Sequence, residues 1–176
     1  MKKIITIAGS NSQKSINKSL LFYTSGLLQN AEIVSIDLND YVLPMYGVDF
    51  EAENGIPTAV KRLDELIQTA DAFIIALAEH NGSYAAVFKN MLDWLSRVNM
   101  EIWRNKPMLL MATSPGGRGG ATVLQAASAY FPFMGAKIIE TYSLPSFYDH
   151  FKEGEVVEGN FKNALEAKVA TFSKII

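Results

Sequence analysis

The chain has 176 residues, a formal net charge of −2 and a pI near 5.7, with 49% of residues hydrophobic and 19% charged. This is enough chain and apolar content for one domain with a sizeable core; it excludes a disordered chain, and the lack of any basic block excludes nucleic acid or an anionic membrane as an electrostatic partner. The absence of cysteine excludes disulfides, thiolate catalysis and thiolate metal sites, and the two histidines, His80 and His150, stand in no ligand spacing, so no metal is expected.

The first predicted strand, 3–8, carries Ile4, Ile5, Ile7 and Ala8. It is too short for a signal sequence, and no stretch of about 18 apolar residues follows anywhere, so a cytoplasmic protein is expected. A polar loop, Gly9 to Ser15, leads into a helical pattern over 16–29 (Ile16, Leu20, Leu21). Strand, small-residue loop and helix N-terminus together suit a phosphate: N–H groups converge, the helix dipole is favourable, and Ser10, Ser12, Ser15 and Asn17 add side-chain partners. Neither G-x-x-x-x-G-K-[ST] nor G-x-G-x-x-G is present, which favours one terminal phosphate on a small cofactor over a pyrophosphate. An ordinary capped strand-to-helix turn has the same pattern.

Further strands are predicted at 32–36, 72–78, 107–113 and, more weakly, 136–142, with helices at 57–69, 84–98, 120–131 and 160–175. The runs AFIIALA and MLLMAT are nearly continuous apolar segments, as in parallel strands buried on both faces. Alternation of β and α elements predicts a doubly wound α/β fold, a parallel sheet with helices on both faces, in a single domain over residues 1–176. Two long connections, 37–56 and 143–159, interrupt the rhythm. The second carries three aromatics, and either a functional loop or a surface flap accounts for it.

In such a sheet ligands sit beyond the carboxyl ends of the strands. Three segments therefore matter: Gly9–Asn17, Glu79–Tyr84 and Ser114–Gly120. In the second, Asn81-Gly82 signals a turn, Ser83 or Asn81 can cap the next helix, and Glu79 falls near that helix's N-terminus, where a carboxylate is favourable. No partner acid or base accompanies it, so no catalytic residue is assigned. The third has four glycines in seven residues, which lets backbone amides approach a flat ring. On the helix 84–98, Val87, Phe88, Met91, Leu92, Trp94, Leu95 and Val98 span roughly 160° at about 100° per residue. Lys89, Asn90, Asp93, Ser96 and Arg97 fill a polar side, with Lys89–Asp93 and Asp93–Arg97 pairs expected. The wide apolar arc points to a second buried contact, such as another subunit.

Taken in order, these segments resemble the NADPH-dependent FMN reductase family of flavodoxin-like proteins, which includes azoreductase-, quinone reductase- and chromate reductase-like members. Gly9-Ser10 with Ser15 and Asn17 resembles G-S-x-R-x-x-S-x-N; Leu43-Pro44-Met45-Tyr46 through Asp49 resembles L-P-x-[YF]…D. Glu79-His80-Asn81-Gly82-Ser83, with Lys89-Asn90 and Asp93-Trp94, resembles P-E-Y-N-G-S…L-K-N-x-[IL]-D-W, and Ser114-Pro115-Gly116 with Gly119-Gly120 resembles S-x-G-x-x-G-G. The resemblance runs from Ile4 to about Phe172. It departs at Ser12 (an arginine in the family, with Lys14 the available substitute), Ala78 (proline) and His80 (tyrosine).

The resemblance implies a five-stranded sheet of order 2-1-3-4-5 and a flavin, FMN, at the strand carboxyl ends. Ser10, Ser15 and Asn17 would hold its phosphate, and Ser12, Gln13 and Ile16 of the same loop are also expected to bind the cofactor. Glu79, His80, Asn81 and Gly82, with Ser114, Pro115, Gly116 and Gly117, would line its ring. It further implies hydride transfer from NADPH or NADH to the flavin and then, in ping-pong order, to a quinone, azo compound, free flavin or oxidised metal ion. A homodimer or homotetramer would form near Lys89 and Asp93. The alternatives are a non-enzymatic flavodoxin-type electron carrier, whose phosphate loop is usually threonine-rich and whose charge is usually strongly acidic, or a relative that has lost the flavin.

Overall fold

The computed structural model describes residues 1–176. In chain order the elements are β1 (Lys2–Gly9), α1 (Ile16–Gly26), β2 (Ala31–Ile36), a 3-10 turn (Leu38–Asp40), α2 (Val48–Asn54), α3 (Thr58–Gln68), β3 (Ala72–Leu77), the short pair β4 (Glu79–His80) and β5 (Ser83–Tyr84), and α4 (Ala86–Val98). There follow β6 (Lys106–Thr113), α5 (Ala121–Tyr130), a second 3-10 turn (Phe131–Met134), β7 (Ala136–Leu144), α6 (Phe147–His150), the pair β8 (Phe151–Lys152) and β9 (Glu155–Val156), and α7 (Asn160–Ile175).

The parallel sheet runs β2-β1-β3-β6-β7, which is 2-1-3-4-5 when its own five strands are counted. Period-two alternation divides its strands between two cores. Ile5, Ile7, Phe73, Ile75, Met108 and Leu110 face one layer, where they meet Leu63 and Ile67 of α3, Phe88 and Trp94 of α4, and Val123 and Ala127 of α5. Ile4, Ala8, Ile74, Leu109 and Met111 face the other, with Leu20 and Leu21 of α1 and Leu165, Val169 and Phe172 of α7. β3 is buried along its whole length, as its unbroken apolar run requires.

The connection after β1 goes to β2 on one side, and the chain then returns past β1 to β3 on the other. The carboxyl ends of β1 and β3 therefore flank a topological switch point, where no crossover covers the sheet.

The long connection 37–56 holds more structure than its turn residues suggest. The Trp94 indole Nε1 and Asn90 Nδ2 both donate to the Pro44 carbonyl, at 2.8 and 3.0 Å, and Asn90 Oδ1 accepts the Tyr46 N–H at 2.8 Å. Tyr46 and Phe50 stand edge-on to the Trp94 ring, with centroids 5.0 and 6.1 Å away. This corrects three expectations for α4. The Trp94 side of its wide apolar arc is covered by this chain's own loop. Asn90 is buried and not part of a solvated face. Arg97 pairs with Glu51 of α2 at 2.9 Å instead of with Asp93, while the expected Lys89–Asp93 pair is present at 2.6 Å.

Candidate functional site

The loop after β1 is shaped by its own hydroxyls. Ser10 Oγ accepts the Ser12 N–H (3.1 Å), Ser12 Oγ accepts the Lys14 N–H (3.2 Å), and Ser15 Oγ accepts the Lys18 N–H (3.2 Å) as the N-cap of α1. Each of these oxygens spends a lone pair and keeps its O–H to donate outward. The N–H groups of Gln13, Ser15, Ile16 and Asn17 make no hydrogen bond within the chain. Converging amides, free hydroxyls and the positive end of an 11-residue helix make an anion cradle.

Asn17 is used differently from the expectation. Its side chain is buried, with Nδ2 donating to the Thr113 carbonyl (3.1 Å) and Oδ1 accepting the Thr113 N–H (2.9 Å). The amide clasps α1 to the carboxyl end of β6, so its outward donor is the backbone N–H.

On the second segment Asn81 and Gly82 both have positive φ (52° and 73°), the requirement of a type I′ turn, and β4 and β5 pair across it. Because Ser83 and Tyr84 belong to this hairpin, α4 starts at Ala86 and neither Asn81 nor Ser83 caps it. Glu79 also differs from expectation. Its Oε2 accepts the Val123 N–H at 3.0 Å, so it caps α5, not α4. The segment after β3 is thereby tied to the segment after β6.

The third segment's glycines divide into two kinds. Gly119 and Gly120 have φ of 58° and 73°; a Cβ would lie 2.3 Å from Ser143 Oγ in the first and 2.8 Å from Ala112 Cβ in the second. They serve packing. Gly116 and Gly117 would meet nothing within 4 Å and leave an open floor. The Gly116 carbonyl accepts the Ser146 N–H (2.9 Å) and the Ser114 carbonyl accepts that of Phe147 (3.0 Å), so the connection after β7 braces this loop.

A cleft of about 240 Å³ joins the three segments at the switch point. Ser10, Ser12, Ser15, Ile16, Asn17, Glu79, His80, Ser114 and Pro115 line it. Asn81, Gly82, Gly116 and Gly117 lie on the flanking loops, and Gln13 opens onto a neighbouring groove. Lys14, Ala78, Thr113 and Tyr148 complete the wall. Of the last two, Tyr148 had a signal in its aromatic-bearing long loop, while Thr113 had none beyond ending a strand. Beside the cradle, Lys18 pairs with Asp37, and that bond holds the Asp37 carboxyl below its ordinary range. The arrangement presents unpaired N–H groups and hydroxyls at one end and, on the flanking loop, two glycines with open space above them. No helix is long and apolar enough to cross a membrane.

Residues 2–149 match the sequence profile described as NADPH-dependent FMN reductase. The chain is 38% identical over 120 residues to an NAD(P)H-dependent FMN reductase of Pseudomonas aeruginosa, covering 68% of this chain and 63% of that protein. It is 29% identical over 141 residues to a quinone reductase of Escherichia coli, covering 76% and 73% respectively. Among solved structures it is similar to FerB, a flavoenzyme NAD(P)H:(acceptor) oxidoreductase from Paracoccus denitrificans, with a TM-score of 0.79 and 26% identity over 99% of this chain and 97% of that one.

Proposed function

The chain belongs to the NADPH-dependent FMN reductase family, and from that premise we propose that it is an FMN-dependent NAD(P)H oxidoreductase of small-molecule acceptors, a single FMN-binding domain over residues 1–176. The observation that carries this reading is the cradle at α1: four N–H groups and three hydroxyls with unspent donor capacity, beside an open glycine floor. These residues fit a flavin mononucleotide. When bound, FMN supplies a ring that takes hydride from NAD(P)H and passes reducing equivalents to an acceptor.

The residues of this chain bind and orient. Ser10, Ser12 and Ser15, with the N–H groups of Gln13, Ser15, Ile16 and Asn17, hold the phosphate. Lys14 supplies the positive charge that Ser12 does not. Glu79, His80, Asn81 and Gly82 form one edge of the ring site; Ser114, Pro115, Gly116 and Gly117 form its floor. Glu79 acts by position, fastening these two segments together. No acid–base pair is required, because the flavin carries the chemistry. Names of relatives favour a quinone or a free flavin as acceptor.

The protein works in the cytoplasm, where NAD(P)H is supplied, as a homodimer or larger homo-oligomer. Met100, Tyr130 and Phe133, respectively 77%, 60% and 80% exposed, edge a cleft of about 280 Å³ that Lys89 and Asp93 also line. Such a concentration of exposed apolar side chains fits a subunit contact.

The test is the visible spectrum of the purified chain after FMN loading and desalting, followed by anaerobic NADPH. Retained flavin bands that bleach establish the activity. No retained flavin, and no reduction with FMN in excess, would overturn it.

A further inference from the structure

Next to the phosphate cradle, and sharing Lys14, Ser15, Ile16 and Tyr148 with its cleft, lies a larger open groove of about 610 Å³. This is within the roughly 300–1,000 Å³ range of small-molecule sites. One wall is a stripe of α1: Ser15, Lys18, Ser19 and Phe22 are spaced so that they share a helical face. The other comes from α6 and β8, where Phe147 and Phe151 stack with centroids 4.7 Å apart and Tyr148 stands beside them.

Two properties distinguish this groove. Phe22 is 79% exposed and Tyr148 61% exposed, one on each wall. The groove's only charges are Lys14 and Lys18; no carboxylate lines it, on a chain whose net charge is negative. Lys14 has no ion-pair partner, and Lys18 is held at the rim by Asp37. Flat aromatic faces with cations beside them match a base attached to a phosphate.

We propose that this groove is an adenylate subsite. It receives the adenosine-phosphate half of a dinucleotide whose other half occupies the adjoining cleft. Phe22 stacks on the adenine, and Lys14 and Lys18 meet the phosphate. The inference rests on the flavin reading for that other half. Two sources carry an adenylate in such a reaction: the reduced nicotinamide dinucleotide, or FAD in place of FMN.

The first measurement is calorimetric titration of the flavin-free chain with 5′-AMP, which needs no turnover and no flavin. Phe22→Ala and Lys18→Ala change exposed side chains and leave the cradle intact. Loss of one stacked base interaction weakens binding by about tenfold, so Phe22→Ala is expected to weaken AMP about tenfold and Phe22→Trp to retain it, while Lys18→Ala weakens AMP by removing a cation from its phosphate.

The source is then read from two ratios in Phe22→Ala. Collapse of the FAD-over-FMN affinity ratio, with FMN affinity unchanged, assigns the flavin dinucleotide. Collapse of the kcat/KM ratio of NADPH over reduced nicotinamide mononucleotide, in FMN-loaded protein, assigns the nicotinamide dinucleotide. No AMP binding at millimolar concentration, or binding that neither variant changes, overturns the subsite. Failure of NADPH to reduce bound FMN would overturn the oxidoreductase reading instead, and AMP binding by the groove would still stand.

Discussion

Asn17 and Thr113 exchange two hydrogen bonds, from the Asn17 amide to the Thr113 carbonyl and from the Thr113 N–H back to the Asn17 oxygen, at 3.1 and 2.9 Å. The first turn of α1 is thereby locked to the end of β6. The proposed phosphate cradle and the proposed ring floor are fastened to each other by these bonds.

Asn17→Ala leaves two buried backbone groups of Thr113 without these partners. At about 1–3 kcal/mol for each unsatisfied group, a loss of about 2–4 kcal/mol is expected, read as a lower midpoint in urea unfolding. Asn17→Asp keeps the acceptor but adds a negative charge behind the cradle. It is expected to weaken FMN by about tenfold or more in a fluorescence titration, beyond what its stability loss accounts for.

Gly116 and Gly119 sit three residues apart and predict opposite outcomes. Gly119→Ala forces a Cβ onto Ser143 Oγ and the Pro145 backbone at φ 58°, so a loss of at least about 2 kcal/mol is expected. Gly116→Ala meets no atom within 4 Å. Its stability should stay within about 0.5 kcal/mol of the parent, while FMN affinity falls because the methyl group narrows the ring floor. Thermal unfolding and flavin titration of the two variants separate these effects.

Two carboxyls contribute to the acid sensitivity. The Lys18 ammonium, with the Asn39 N–H, holds Asp37 below its ordinary 3.8, and the Lys3 N–H does the same for Asp71. For both, the folded pKa lies below the unfolded one. Their stabilisation is therefore complete above about pH 4 and is lost as pH falls through the folded values. Unfolding midpoints measured from pH 6 down to pH 3 should decline more shallowly in Asp37→Asn and Asp71→Asn than in the parent.

Phe133→Asp places a charge in the exposed apolar cluster with Met100 and Tyr130. Sedimentation is expected to show an oligomer for the parent and a monomer for the variant. Retained flavin affinity in the monomer would place the whole cleft within one chain, and lost affinity would place part of it on the partner subunit. A parent that sediments as a monomer would overturn the proposed contact.

Much of this architecture is written locally. The unbroken apolar runs at 72–77 and 107–113 required doubly covered strands, and their alternation with helical patterns required a parallel, doubly wound sheet. Hydroxyls between β1 and α1, and glycines after β6, marked the loops that meet at the switch point. Those signals are legible because burial and turn chemistry repeat over a few residues. What they do not encode is the partner of each polar side chain. The Asn17 side chain looked like a phosphate ligand and instead clasps a residue 96 positions away, leaving its backbone N–H for that role. Glu79 looked like a cap for the helix that follows it and caps α5, 44 positions on. Asn90 looked solvated and binds the Pro44 loop. A hydrogen bond between distant segments leaves no period in either one. Only the packed sheet, by bringing the carboxyl ends of β1, β3 and β6 together, decided which polar groups hold the protein and which remain free to hold a ligand.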